Sequence, residues 1–408
     1  MGMNETPSAN RVHIGFFGLR NSGKSSIVNA VTGQDLAVVS EVKGTTTDPV
    51  YKTMELLPLG PVMIIDTPGI DDEGTLGELR VNRARRVLNK TDVAVLVTSP
   101  SADGADKFCF SPAEEELMGI FQAKKVPYIA ILNKVDLLDG FPENINADSG
   151  AGILPVSAKT GFNINLLKEK IASLALPEES KRRLVADLIK PNDFVVLVVP
   201  IDKAAPKGRL ILPQQQVIRD ILETGAVSVV VRDFEFRDAL ANLGQKPALV
   251  ITDSQVFAKV SAETPPEIPL TSFSILFARY KGSLDTSVQG IAHLESLQDG
   301  DKILICEGCT HHRQCDDIGT VKLPAMIKKF TGKEPEFCFC SGGDFPGDLS
   351  PYKMVIHCGA CMLNDREMQY RSRCAEDQNI PFTNYGITIA RIQGILERSI
   401  KVFSGELT

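Results

Sequence analysis

The apolar stretch Val12–Phe17 runs without a break into Gly18-Leu19-Arg20-Asn21-Ser22-Gly23-Lys24-Ser25, and helical sequence follows over Lys24–Thr32. A strand, a loop of the form G-x-x-x-x-G-K-[ST] and a helix, in that order, constrain the fold more than any other feature of the chain. The glycines let backbone N–H groups curl around phosphate oxygens at a helix N-terminus, at the carboxyl end of a parallel strand. Gly18, Asn21, Ser22, Gly23 and Ser26 belong to the expected phosphate cradle. Lys24 would reach the β- and γ-phosphates, and Ser25 would hold Mg²⁺ through its hydroxyl.

The next 150 residues repeat that alternation. Val62–Asp66, Val93–Thr98, Tyr128–Asn133 and Ile153–Val156 read as further strands, with helices over Glu78–Lys90, Pro112–Lys124 and Asn163–Leu174. This is α/β sequence for a parallel sheet covered on both faces. Three more motifs end strands. In Asp66-Thr67-Pro68-Gly69, Asp66 would hold Mg²⁺ through water and Gly69 would offer its N–H to the γ-phosphate. In Asn133-Lys134-Val135-Asp136, the Asp136 carboxylate can accept from N1–H and the amino group of guanine. Adenine lacks that donor pair and would leave a carboxylate unpaired, so discrimination is large. Ser157-Ala158-Lys159 supplies backbone donors near the base O6. Together these groups predict a GTP/GDP site.

Lys43-Gly44-Thr45-Thr46-Thr47-Asp48 resembles the first switch of the TrmE–Era group of GTPases, and Asn21 also matches that group. The resemblance implies Thr46 on Mg²⁺ and the γ-phosphate, with Asn21 beside a K⁺ that stabilises transition-state charge, the part an arginine finger plays elsewhere. Lys24, Asn21, Thr46 and Gly69 are then the expected catalytic set. Ile70 stands where Ras-like enzymes place a water-orienting Gln, so turnover is expected to be slow.

A chain of 408 residues suits two or three domains. The expected division is a nucleotide domain over 1–176, a small α/β dimerisation domain over 177–262 and an α/β metal-cluster domain over 263–408. In the middle segment Phe194–Pro200, Ala226–Arg232 and Ala248–Thr252 read as strands of a small sheet whose open edge a second copy would cover. In the last segment the strands are Lys302–Cys306, Glu336–Cys340 and Lys353–His357. A net charge of −7 argues against an extended nucleic-acid surface. No apolar run reaches the length of a spanning helix, and there is no charged-then-apolar leader, so a cytoplasmic protein without membrane contact is expected.

Of nine cysteines, only Cys109 lies outside the last third. Cys309-Thr310-His311 and His357-Cys358-Gly359-Ala360-Cys361 each follow an apolar strand. If those strands are parallel neighbours, both groups emerge at one sheet edge, and three thiolates suit iron–sulfur or zinc. Cys306-x-x-Cys309 with Cys358-x-x-Cys361 also has the form of a four-thiolate zinc site, although the gap between the pairs is long.

The C-x-H…H-C-x-x-C set behind a TrmE-like GTPase segment resembles the HydF family, whose members are scaffold GTPases in assembly of the [FeFe]-hydrogenase active site. Glu307-Gly308-Cys309-Thr310-His311-His312 and Asp316-Asp317-Ile318-Gly319 fit that family too. The resemblance implies a [4Fe–4S] cluster on Cys309, Cys358 and Cys361, with a weak fourth ligand. His311, His357, Asp344 and Asp348 are the candidates for that ligand. It further implies a di-iron precursor as cargo, radical-SAM maturases and apo-hydrogenase as partners, and a homodimer. The competing expectation is an Era-type RNA- or ribosome-associated GTPase with structural zinc.

Overall fold

The computed structural model describes residues 8–33, 49–57, 59–69, 87–100, 110–138, 153–175, 183–200, 210–308 and 317–405. The chain divides into two compact units, Met1–Ser180 and Lys181–Thr408.

The first unit is built on β1 (Val12–Phe17), β2 (Val50–Leu56), β3 (Gly60–Asp66), β4 (Val93–Thr98), β5 (Tyr128–Leu132) and β6 (Ile153–Pro155). They form one sheet in the order β2-β3-β1-β4-β5-β6, antiparallel only between β2 and β3. β1 and β4 are buried along nearly their whole length, as central parallel strands covered on both faces should be. Helices Lys24–Thr32 and Ile164–Ala175 contribute Ile27, Val31, Leu167 and Ile171 to one core layer. Helix Pro112–Ala123 adds Leu117 and Phe121 to the layer on the opposite face. Ser111 caps that helix, its side chain accepting from Glu114 N while the Glu114 carboxylate accepts from Ser111 N.

The second unit contains two four-stranded parallel sheets. The first is ordered β10-β9-β7-β8, from β7 (Phe194–Val198), β8 (Val227–Val231), β9 (Leu249–Thr252) and β10 (Leu270–Ser272). The other is ordered β12-β11-β13-β14, from β11 (Lys302–Glu307), β12 (Glu336–Ser341), β13 (Met354–His357) and β14 (Phe382–Asn384). One apolar cluster spans both sheets, taking Val196 and Ile251 from the first, Ile303, Ile305 and Ile356 from the second, and Ile275, Leu276 and Phe277 from helix Phe273–Tyr280. The expected boundary at 262/263 therefore falls before the last strand of the first sheet and within residues that share a core. Lys281, 2% exposed, reinforces the union by donating to Leu363 O at 2.8 Å and Asp365 Oδ1 at 2.8 Å. No helix among the described residues is long and apolar enough to cross a membrane.

Candidate nucleotide and metal-cluster sites

In the first unit, β1, β3, β5 and β6 all point their carboxyl ends the same way, which gathers the four motifs. The phosphate loop has left-handed backbone at Asn21 (φ 62) and Gly23 (φ 88). A Cβ at Gly23 would lie 2.3 Å from Asn133 Nδ2, so only glycine fits beneath the base-binding motif. Asn133 joins the motifs directly: its Nδ2 donates to Ser22 O at 3.0 Å, and its Oδ1 accepts from Ala158 N at 3.2 Å. Lys134 Nζ donates to Asn21 O at 2.6 Å. Ser157 Oγ donates to Asp136 Oδ1 at 2.7 Å, which orients that carboxylate at the exposed rim.

Lys24 is buried and donates to Gly18 O at 3.1 Å and Leu19 O at 2.7 Å. Ser25 Oγ donates to Asp66 Oδ2 at 2.6 Å, while the other carboxylate oxygen, Oδ1, is buried without a hydrogen-bond partner. Burial raises the Asp66 pKa, opposed by the Ser25 bond and by the Lys24 charge. A serine hydroxyl beside a buried carboxylate with an unused oxygen is a donor set that fits a hard divalent cation such as Mg²⁺. Gly69 packs on the loop, where a Cβ would come 2.7 Å from Arg20 Cα. Ser26 continues the first helical turn, and Lys159 is exposed at the rim. Thr46 and Ile70 lie outside the described residues.

In the second unit, β11 and β13 are parallel neighbours with Cys306 opposite His357, so the chain leaves both strands at the same edge. Cys358 N donates to Cys306 O at 2.8 Å. The Cys358 sulfur accepts from Gly308 N at 3.1 Å and Ala360 N at 3.4 Å. Burial raises the Cys358 pKa, and these two N–H donors work against it by favouring the thiolate. Ala360, at φ 56, turns the loop toward Cys361, and both sulfur residues pack on the core shared by the two sheets.

Cys309 and His311 lie outside the described residues. Gly308, the residue before Cys309, is the one that donates to Cys358 Sγ. Among the described residues no group of three or more His, Cys, Asp or Glu side chains is placed to hold a metal. Asp344 and Asp348 are thus not gathered with Cys358 and Cys361. Both are exposed, and Asp348 accepts from Ser350 N at 3.0 Å.

His357, one of the four candidates for the fourth ligand, is engaged within the protein instead. It is fully buried, and Arg371 Nη1 donates to its Nε2 at 2.9 Å. A guanidinium can only donate, so Nε2 is the acceptor and Nδ1–H donates to Cys358 O at 2.9 Å. Both ring nitrogens are engaged. Burial and the Arg371 charge lower the His357 pKa to about 3, which keeps the ring neutral.

Arg371 itself was not singled out from sequence. It is 0% exposed, donates to Glu367 Oε1 at 2.9 Å from Nε and 2.8 Å from Nη2, bonds Gly342 O, and lies over the Phe345 ring. Its E-x-x-x-R spacing on helix Asp365–Asp377 has the form of a solvated surface pair, and nothing local distinguishes a buried one.

Comparison with known proteins yields three family matches. Residues 285–402 match the hydrogen maturase F tetramerization domain, 184–282 the hydrogen maturase F dimerization domain, and 13–134 the 50S ribosome-binding GTPase family. GTPase Der of Wolinella succinogenes is 32% identical over 196 residues, covering 45% of this chain and 39% of that protein. The tRNA modification GTPase MnmE of Methylococcus capsulatus is 34% identical over 155 residues, covering 38% of this chain and 32% of that protein. The chain therefore spans well under half the length of these relatives. The structure of Aquifex aeolicus Era bound to GDP.AlF4- has 20% identity and a TM-score of 0.34, over 57% of this chain and 98% of that one.

Proposed function

This chain belongs to the hydrogen maturase F family and is a GTPase, and from that premise we propose that it carries an iron–sulfur centre in its second unit and serves as a scaffold for a di-iron cargo. The observation that carries the scaffold reading is the convergence of β11 and β13 on one edge, where the N–H preceding Cys309 lies on the sulfur of Cys358. A [4Fe–4S] cluster on Cys309, Cys358 and Cys361 is the centre this reading requires. Held there with one weak ligand, it would offer an iron that can exchange partners. The protein's part is to keep thiolates available: Gly308 N and Ala360 N stabilise the Cys358 sulfur, and the His357–Arg371 contact holds the strand end from which the Cys358 loop departs.

In the first unit, Asp136 selects guanine, Asn133 keeps the base loop and phosphate loop in register, and Lys24 carries its positive charge to the phosphates. Ser25 and Asp66 are the residues that would hold Mg²⁺, whose charge favours in-line attack at the γ-phosphate. Asn21 would take K⁺, with Thr46 completing the switch. Supporting self-association, β8 is an open edge among the described residues, with Val227 and Val230 at 40% and 44% exposure, within the segment that matches a dimerization domain. A second copy would extend that sheet, and the tetramerization match supports further assembly. The ribosomal association named for the family matching 13–134 is the competing reading, which the net charge of −7 does not favour.

The scaffold reading is tested by loading the anaerobic protein with a di-iron precursor and mixing it with [FeFe]-hydrogenase lacking its di-iron subcluster. Hydrogen evolution should appear with the unmodified protein and be lost with Cys358→Ala. Equal activation by both would end the scaffold reading.

A further inference from the structure

On β11 and β12, Cys306 and Cys340 are register partners of a parallel pair, and their sulfurs lie 3.1 Å apart. We propose that Cys306 and Cys340 form a dithiol–disulfide couple that exchanges with low-molecular-weight disulfides, a reactive site separate from the Cys358–Cys361 loop.

Register partners on adjacent strands project to the same face, with strands about 4.8 Å apart, inside the roughly 4.4–6.8 Å Cα separation that a disulfide spans. Closing from 3.1 Å to a bond of about 2.05 Å asks for about 1 Å of movement, and among the described residues β12 is an edge strand with one neighbour. Cys306 Sγ belongs to the apolar layer under helix Asp365–Asp377, with Cys340 packed against it, whereas Cys358 and Cys361 pack on the core shared with the other sheet. The pair is asymmetric: Cys306 is 0% exposed and Cys340 is partly exposed. That is the arrangement of an attacking thiol with a buried resolving thiol.

The other nearby cysteines have different surroundings. Cys338 lies opposite Leu304, and Cys374 Sγ contacts Gly347 O at 3.5 Å and Gln378 Nε2 at 3.2 Å.

The chemistry balances as a two-step exchange. The Cys340 thiolate attacks one sulfur of RS–SR, breaking that bond, and the departing RS⁻ takes up a proton. Cys306 then loses its proton and attacks the Cys340 sulfur of the mixed disulfide, and the second RS⁻ leaves with that proton. Two protein thiols and one RSSR become one protein disulfide and two RSH, and excess RSH reverses it.

The test uses the full chain, anaerobic and freed of reductant, treated with excess oxidised glutathione. Remaining thiols are alkylated at acid pH, and the protein is digested without reduction for mass spectrometry. The expected product is a peptide pair joining Cys306 to Cys340, two hydrogen masses lighter than the separate thiol peptides and split by dithiothreitol. Cys306→Ser should trap glutathione on Cys340, whereas Cys340→Ser should leave Cys306 unmodified. Full alkylation of both cysteines in the oxidised wild-type chain, or Cys340 joined to Cys338 or Cys374, would overturn the proposal whether or not either variant folds.

Discussion

Arg371 donates to His357 Nε2 at 2.9 Å while the same guanidinium grips Glu367, and neither Arg371 nor His357 is exposed. A charged side chain is thereby spent on orienting a neutral imidazole next to a cysteine. Removing one member of such a buried group leaves the others uncompensated, so Arg371→Met should destabilise the second unit by about 3–5 kcal/mol. Adding Glu367→Gln removes the stranded carboxylate and should recover part of that loss. Urea titration of the single and double variants measures both numbers, and additive losses would contradict the linkage.

The His357 pKa, lowered from 6.5 to about 3, sets a pH dependence in the cluster-free protein. The folded state holds the ring neutral, so below the unfolded value the unfolded chain binds the extra proton. The contribution is complete above about pH 6.5 and is lost as the pH falls toward 3. Between pH 7 and pH 5 it should remove about 2 kcal/mol. His357→Gln offers an acceptor to Arg371 and a donor to Cys358 O without titrating, and its urea midpoint should fall less over that interval. Parallel curves for the two proteins would refute the assignment.

The gathering of the four strand-end motifs was legible because their pattern is local: a loop of fixed length between a strand and a helix, and motifs at strand ends. The sheet brought those ends together as the strand–helix alternation requires. β2 was missed because its residues Val50–Leu56 form an edge strand exposed along most of its length, with little burial to pattern it. β10 and β14, Leu270–Ser272 and Phe382–Asn384, are three residues each, too short to carry a period, and exist through pairing with β9 and β13. The placement of His357 depends on Arg371, fourteen residues on, and on the burial of a helix face that looks solvated in sequence. Helix Glu78–Lys90, the switch at Thr46 and the Cys309–His311 group fall wholly or mostly outside the described residues.

Base selection should be switchable at Asp136. Ser157 Oγ can donate to an amide oxygen as it does to Asp136 Oδ1, so Asp136→Asn leaves the loop geometry in place. The variant should lose GTP affinity by at least tenfold and gain affinity for xanthosine triphosphate, on the scale of about 1.4 kcal/mol per tenfold. Calorimetric titration with both nucleotides decides it, and unchanged GTP affinity would mean that Asp136 does not read the base.

GTP turnover should be faster in K⁺ than in Na⁺ at equal ionic strength. Asn21 adopts φ 62, where alanine would be strained, so Asn21→Gly is the variant that removes the side chain and spares the backbone. It should erase the difference between the salts while nucleotide still binds. Equal wild-type rates in both salts would remove K⁺ from the account.

The central claim is that nucleotide chemistry belongs to the first unit and cluster chemistry to Cys309, Cys358 and Cys361 in the second. Iron and sulfide content after anaerobic reconstitution, read with the EPR signal of the reduced protein, tests it most directly. Alanine at any of the three cysteines should lower iron and signal together while GTP turnover is kept. Lys24→Ala should lose turnover and keep iron, and Cys306→Ser should keep both. Iron lost from the Cys306 variant but retained in the Cys309 variant would contradict the account and favour a four-thiolate site instead.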